Sequence, residues 1–126
     1  PQIAPLLEFA QALYPGMVAA VRACADDMYM EGSFWLVKVL SRSFVVEEDT
    51  VHATDEFEKG WTVVEAQYYS LEQESPRGYR LLRDKRYVLV NHMVRLKGIA
   101  FERTKRAHNG LFVLSDEWAA AICDSV

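Results

Sequence analysis

The chain has 126 residues, of which 51% are hydrophobic and 25% charged, and its formal net charge is −4. This length predicts one domain spanning 1–126 with its own hydrophobic core, and the composition is that of a soluble globular protein. No apolar run reaches the roughly 18 residues of a membrane-spanning helix, so we expect no membrane partner. Cys24 and Cys123 have neither disulfide-framework nor metal-type spacing, which favours reduced thiols in a nuclear or cytoplasmic protein.

The charges are unevenly distributed along the chain. Residues 77–108 carry ten basic and two acidic side chains, a net charge of +8, and the remainder of the chain carries −12. A fold that brings the two parts together compensates these charges internally, and a fold that separates them presents two faces of opposite sign.

The first half of the chain predicts one helix followed by two strands. Apolar residues recur at offsets of three and four over 3–14, which is typical of one helix face, and Pro15-Gly16 ends that helix. Residues 17–24 predict a strand, 25–33 a polar loop and 34–46 a long strand with alternating apolar positions.

The acidic segment 47–60 separates these strands from the next group. Its six carboxylates predict either a solvated excursion or a loosely paired hairpin, and we expect the segment to be mobile.

Strands are next predicted over 61–71, 79–83 and 86–96, with Asp84-Lys85 as a tight turn between the last two. Five strand-like segments joined by short turns favour an antiparallel barrel over a βαβ unit.

A second helix is predicted over 115–124 at the carboxyl-terminal end of the chain. Ser115 is suited to be its N-cap, and Trp118, Ala121 and Ile122 fall on the packing side. The predicted fold is therefore mainly β, an antiparallel barrel of about five strands over 16–97 with a helix at each end.

Residue patterns that support catalysis do not stand out. His52, His92 and His108 lie far apart in sequence, and His92 falls in a predicted strand, where a structural role is favoured. The glycines are isolated and form no phosphate-binding loop, and the carboxylates of 47–58 lack the spacing of a calcium-binding loop. We therefore expect neither an enzyme nor a cofactor or metal site.

The stretches "GSFWLVKVL", "VVEAQYYSL" and "GYRLLRDKRYVLVNHMVRL" give the chain a resemblance to a known group of domains. In order and spacing, residues 15 to 97 resemble the SH3-like barrels of the Tudor and bromo-adjacent-homology (BAH) group. That resemblance implies a chromatin-associated module in the nucleus that binds a basic peptide, such as a histone tail or another chromatin protein.

The resemblance also implies a site for methylated lysine at one end of the barrel. Its aromatic cage would be Tyr29, Trp35 and Tyr68, and its acidic rim Asp26, Asp27 and Glu31. Only one of the paired tyrosines can join the cage, because successive side chains of a strand point to opposite faces. The alternative, that Trp35 and Tyr68 are ordinary core residues, stays open, and the two interpretations differ in whether these rings share a cavity.

The basic segment supports a different function, the binding of nucleic acid. The residues that would neutralise phosphates from a common face are Arg80, Arg83, Lys85, Arg86, Arg95 and Lys97. Tyr79 and Tyr87 would be available to stack on bases. A plain protein–protein interaction domain is the third interpretation.

Overall fold

The computed structural model describes residues 5–23, 34–74, 76–102 and 110–126. Strands make up 48% and helices 20% of the structure, which confirms the predicted mainly β class. The strands are β1 (Val18–Arg22), β2 (Phe34–Val39), β3 (Phe44–Val45), β4 (Thr50–His52), β5 (Asp55–Phe57), β6 (Thr62–Glu74), β7 (Arg77–Leu89) and β8 (Phe112–Leu114). The helices are α1 (Leu6–Ala12) and α2 (Asp116–Ser125).

Six of the strands form one curled antiparallel sheet. Its order is β1-β2-β6-β7-β8, and β3 also pairs with β6. After β7 a 3-10 turn, Val90–His92, leads the chain across to β1, where Met93 bridges Val21 and the Val94 N–H donates to the Ala20 carbonyl at 2.8 Å. This crossing covers part of the outer edge of β1 and curls the sheet into a half-barrel, consistent with a small SH3-like barrel.

The two faces of the sheet carry separate hydrophobic clusters because strand side chains alternate. Val37 belongs to the first cluster, with Phe9 and Leu13 of the α1 region, whereas its neighbour Leu36 belongs to the second, with Ile122 of α2. Each helix therefore covers one face of the sheet.

The hairpin of β6 and β7 differs from the prediction. Asp84 and Lys85 form no turn, because β7 continues through them and pairs with β6 from Arg77 to Leu89. The predicted strand 86–96 ends early, at Leu89, because the chain turns there to reach β1. His92 is consequently exposed in the 3-10 turn, and its predicted placement in a strand was wrong.

The predicted strand 34–46 is interrupted after Val39. The Leu40 N–H donates to the Glu65 carbonyl at 2.7 Å, and the Ser41 hydroxyl accepts from the Glu65 N–H at 3.0 Å. These bonds bridge the interruption, so β2 and β3 lie along the same side of β6.

The acidic segment 47–60 forms a hairpin, as one of the two alternatives predicted. Strands β4 and β5 pair, and Phe57 buries its ring in a third cluster with Val46 and Val63. The mobility of this segment stays a prediction.

The terminal helices are close to their predicted positions. Helix α2 begins after Ser115, whose hydroxyl accepts from the Trp118 N–H at 3.2 Å and so confirms the predicted N-cap. Helix α1 spans Leu6–Ala12 within the predicted 3–14, of which residues 3 and 4 lie outside the described residues. The short strand β8 was not predicted, since three residues carry too little alternation to be recognised.

Candidate functional site

Trp35 and Tyr68 line the same cavity, which has a volume of about 450 Å³. The remaining lining residues are Tyr69, Ser70, Leu71, Leu82, Asp84 and Arg86. The site thus combines aromatic and aliphatic walls with one carboxylate and one guanidinium.

The pairing of β2 with β6 explains why the two rings meet. Val37 pairs with Tyr68, and Trp35 lies two residues before Val37, so all three side chains lie on one face of the sheet. Trp35 is therefore diagonal to Tyr68 across neighbouring strands, within reach of a large side chain. Both rings are half-buried and pack against the first core cluster, so each also contributes to the core.

A bulge in β7 builds the opposite wall of the cavity. Gln67 pairs with Lys85 and Tyr69 pairs with Leu81, so Tyr68 faces the three intervening residues, 82–84. Extra residues in one strand bend it and redirect its side chains. The bulge brings Leu82, which is 42% exposed, and Asp84 to the cavity.

The predicted partners of the two rings lie outside the described residues. These are the third cage residue, Tyr29, and the acidic rim residues Asp26, Asp27 and Glu31. Within the described residues the carboxylate at the cavity is Asp84, which sequence reasoning assigned to a turn. In the sequence, Asp84 and Lys85 stand between two strand-like segments and so resemble a turn. The pairing of β6 with β7 shows that the strand continues there with a bulge.

Tyr69 turns its ring to the opposite side of the sheet from Tyr68, as the alternation predicted. It is buried in the second cluster, with its ring centroid 5.0 Å from that of Phe101. Burial raises the pKa of Tyr69 above its ordinary value, so this phenol stays neutral and serves the core.

The formal charge of the described lining sums to zero. Asp84 and Arg86 are both exposed and lie two residues apart on β7. Arg80, nearer the end of the hairpin, forms an ion pair with Glu72 of β6. A cationic ligand would therefore meet one attractive and one repulsive group in the described part of the cavity.

The basic residues proposed for nucleic acid do not share one face. Lys85 pairs with Gln67 and Arg86 with the buried Ala66, so these neighbours point to opposite sides of the sheet. Arg83 is exposed on the same strand.

The remaining basic residues of this set are further separated. Lys97 lies 3.6 Å from the Glu8 carboxylate, and Arg95 is half-buried in the irregular segment after β7. Two of the six, Arg80 and Lys97, are thus partly neutralised by acids.

The two tyrosines proposed to stack on bases are occupied by contacts within the protein. Tyr79 is 4% exposed, and its hydroxyl accepts a long hydrogen bond from Arg77 at 3.4 Å. Burial is the largest effect on the pKa of Tyr79 and raises it, although Arg77 opposes the change. Tyr87 stacks on His52 with 4.0 Å between ring centroids. Tyr79 is therefore not presented to a base, contrary to the prediction, and Tyr87 has one ring face covered by His52.

The residues that the structure describes include neither a metal-binding cluster nor a membrane-spanning helix. That part of the chain holds no group of three or more histidine, cysteine or acidic side chains placed to bind a metal ion. Its helices are all too short to cross a bilayer.

Comparison of the chain with known protein families, with curated protein sequences and with solved structures finds no match. The chemistry of the cavity is therefore the basis for assigning a function.

Proposed function

We propose that this protein is a non-enzymatic recognition domain that takes a methylated lysine of a basic peptide into the cavity between Trp35 and Tyr68. One observation carries the proposal: the two rings line a single cavity with a carboxylate, Asp84, beside them. A role in core packing would explain why the two rings are half-buried. It would not explain why a carboxylate lies at the same cavity, whereas binding of a cation does.

Methylation suits this cavity because it makes an ammonium group larger and less strongly hydrated. The faces of aromatic rings attract such a cation, by about 0.5 to 2 kcal/mol depending on its desolvation. Leu82, which is exposed at the cavity, offers apolar contacts to the methyl groups. An unmodified lysine keeps its hydration more strongly and gains less from the same walls.

The two charged residues adjust the affinity in opposite directions. Asp84 attracts the ligand cation and Arg86 repels it, so the aromatic walls provide most of the selectivity. The resemblance to Tudor and BAH domains supports a histone-like peptide as the natural ligand and the nucleus as its location.

The decisive experiment compares two fluorescent peptides of identical basic sequence, one with trimethyllysine and one with unmodified lysine. We expect the wild-type protein to bind the methylated peptide at least about tenfold more tightly, equivalent to about 1.4 kcal/mol. Trp35→Ala and Tyr68→Ala should abolish this difference. Tyr14→Ala is the matched control, since Tyr14 is exposed and lies outside the cavity.

Charge variants separate cage binding from general attraction to a basic peptide. Asp84→Asn should weaken binding of the methylated peptide and Arg86→Gln should strengthen it, while thermal melts verify that all variants are folded. Equal binding of both peptides, or an equal loss in Tyr14→Ala, would contradict the proposal.

Binding of nucleic acid is the competing outcome. Its affinity would fall steeply with salt and would be insensitive to Trp35→Ala. A mobility-shift titration at two salt concentrations detects it. The dispersed basic residues and the buried Tyr79 give this alternative less support.

A further inference from the structure

A second concave surface lies at the other end of β6, between α1 and β3. This α1–β3 groove has a volume of about 670 Å³ and is lined mainly by Leu6, Leu7, Ala10, Val45, Trp61 and Val90. It shares no residue with the Trp35 cavity.

The walls of the groove leave apolar side chains in water. Leu7 is 72% exposed and Val45 is 55% exposed, and both line the groove. These exposed side chains are not needed to pack α1 on the sheet, because Phe9 and Leu13 supply the buried contacts. Exposed apolar residues that line one groove are typical of interaction sites.

Val45, which lines the groove, also lies on an open strand edge. The Val46 N–H donates to the Trp61 carbonyl at 2.8 Å, so residue 46 directs its backbone groups toward β6. Alternation in an antiparallel pair then directs the N–H and C=O of Val45 away from β6. Within the described part of the chain, the sheet places no further strand beside β3.

The segment that follows β3 in the chain is strongly acidic. The segment 47–60 follows β3 directly, and it carries six exposed acidic side chains against the single base Lys59. Phosphate groups of nucleic acid or of anionic lipid would be repelled here, whereas lysine and arginine would be attracted.

We propose that the α1–β3 groove binds an extended peptide that adds a strand to the edge at Val45. In this ligand apolar side chains alternate with polar ones and are flanked by lysine or arginine. Backbone hydrogen bonds to Val45 align the peptide, its alternate apolar side chains fill the groove, and its flanking basic residues lie near the acidic hairpin. This site is independent of the proposed methyllysine cavity.

The probe is a fluorescent peptide in which three valines alternate with threonines between two pairs of lysines. Its control peptide has the same composition with the valines contiguous, and a second control carries N-methyl groups along one backbone edge. We expect the alternating peptide to bind at least about tenfold more tightly than either control.

Two substitutions of the same kind test the location of the site. Val45→Asp places a charge in the groove, and Val51→Asp places the same charge on the hairpin at a residue that is 68% exposed and outside the groove. We expect at least about a tenfold loss for Val45→Asp and less than about a twofold change for Val51→Asp.

Leu7→Asp is a second test of the groove, because a loss of binding in Val45→Asp alone does not distinguish a changed groove from a disrupted β3. It lies on the helical wall and should also lose at least about tenfold in affinity. Thermal melts of the three variants accompany the titrations.

Three results would overturn the proposal: no difference among the peptides, equal losses in Val45→Asp and Val51→Asp, or retained binding in a folded Leu7→Asp variant. Dimerisation of the protein through Leu7 and Val45 without peptide binding would also overturn it, because a second copy would then be the occupant. Binding of the methylated-lysine peptide to the same variants tells whether the Trp35 cavity is affected.

Discussion

The turn of the acidic hairpin is strained, and relieving that strain should stabilise the protein. Ala53 and Thr54 connect β4 with β5 and have φ angles of 50° and 74°. Two successive residues with positive φ form the turn that suits a two-residue hairpin, where asparagine and glycine are preferred. Thr54 is the less favourable of the two because its side chain is β-branched.

The expected gain from Thr54→Gly is small and can be worked out. A left-handed conformation costs an L-residue about 1–2 kcal/mol, which glycine avoids. Glycine loses about 0.5–1 kcal/mol of this gain because it increases the entropy of the unfolded chain. The net stabilisation is therefore about 0.5–1 kcal/mol, or about 2–4 °C in Tm for a domain of this size. It should appear in the global transition because Phe57 is only 5% exposed and links the hairpin to the core.

Urea denaturation followed by tryptophan fluorescence measures this effect, since the Trp61 ring lies 6.4 Å from that of Phe57. Thr50→Gly in β4 is the control, because Thr50 lies in a strand and is not among the residues with positive φ. It should destabilise the protein by about 1 kcal/mol, the opposite sign. A lower stability for Thr54→Gly than for the wild type would refute the assignment of strain to this turn.

Three further predictions concern stability and are each measured by urea denaturation. Burial raises the pKa of Tyr69 and Tyr79 while their unfolded phenols ionise near pH 10, so stability should fall as pH rises above about 10, and Tyr69→Phe should reduce that fall. Gly78→Ala should cost about 1 kcal/mol because its Cβ would lie 2.9 Å from the Leu111 Cδ1 atom, and the cost should shrink in combination with Leu111→Ala. Ser115→Ala should cost about 1 kcal/mol by removing the N-cap of α2, and Ser115→Asp should restore stability.

Several parts of the fold follow from local sequence patterns. Alternation of apolar residues identified β2 and β6, and the offsets of three and four identified α1. Ser115 was recognised as a helix cap because capping depends on residues within one turn. These features depend on neighbours in sequence, so they can be predicted without the tertiary structure.

The candidate sites depend on contacts between segments distant in sequence. Trp35 and Tyr68 were predicted to meet, but the place of Asp84 and Leu82 beside them depends on a bulge that the sequence presented as a turn. The exposed Leu7 and the open edge at Val45 form one groove because Ser43, whose hydroxyl donates to the Ala10 carbonyl at 3.0 Å, holds α1 beside β3.

The sequence alone thus determined the class of the fold, the two terminal helices and the alternation of side chains between the two faces along β2 and β6. Tertiary structure decided the register of β7 against β6, the division of the long strand into β2 and β3, and the residues that share each cavity. The physical reason is that side-chain alternation is a property of one strand, whereas register and bulges are set by how two strands pack together.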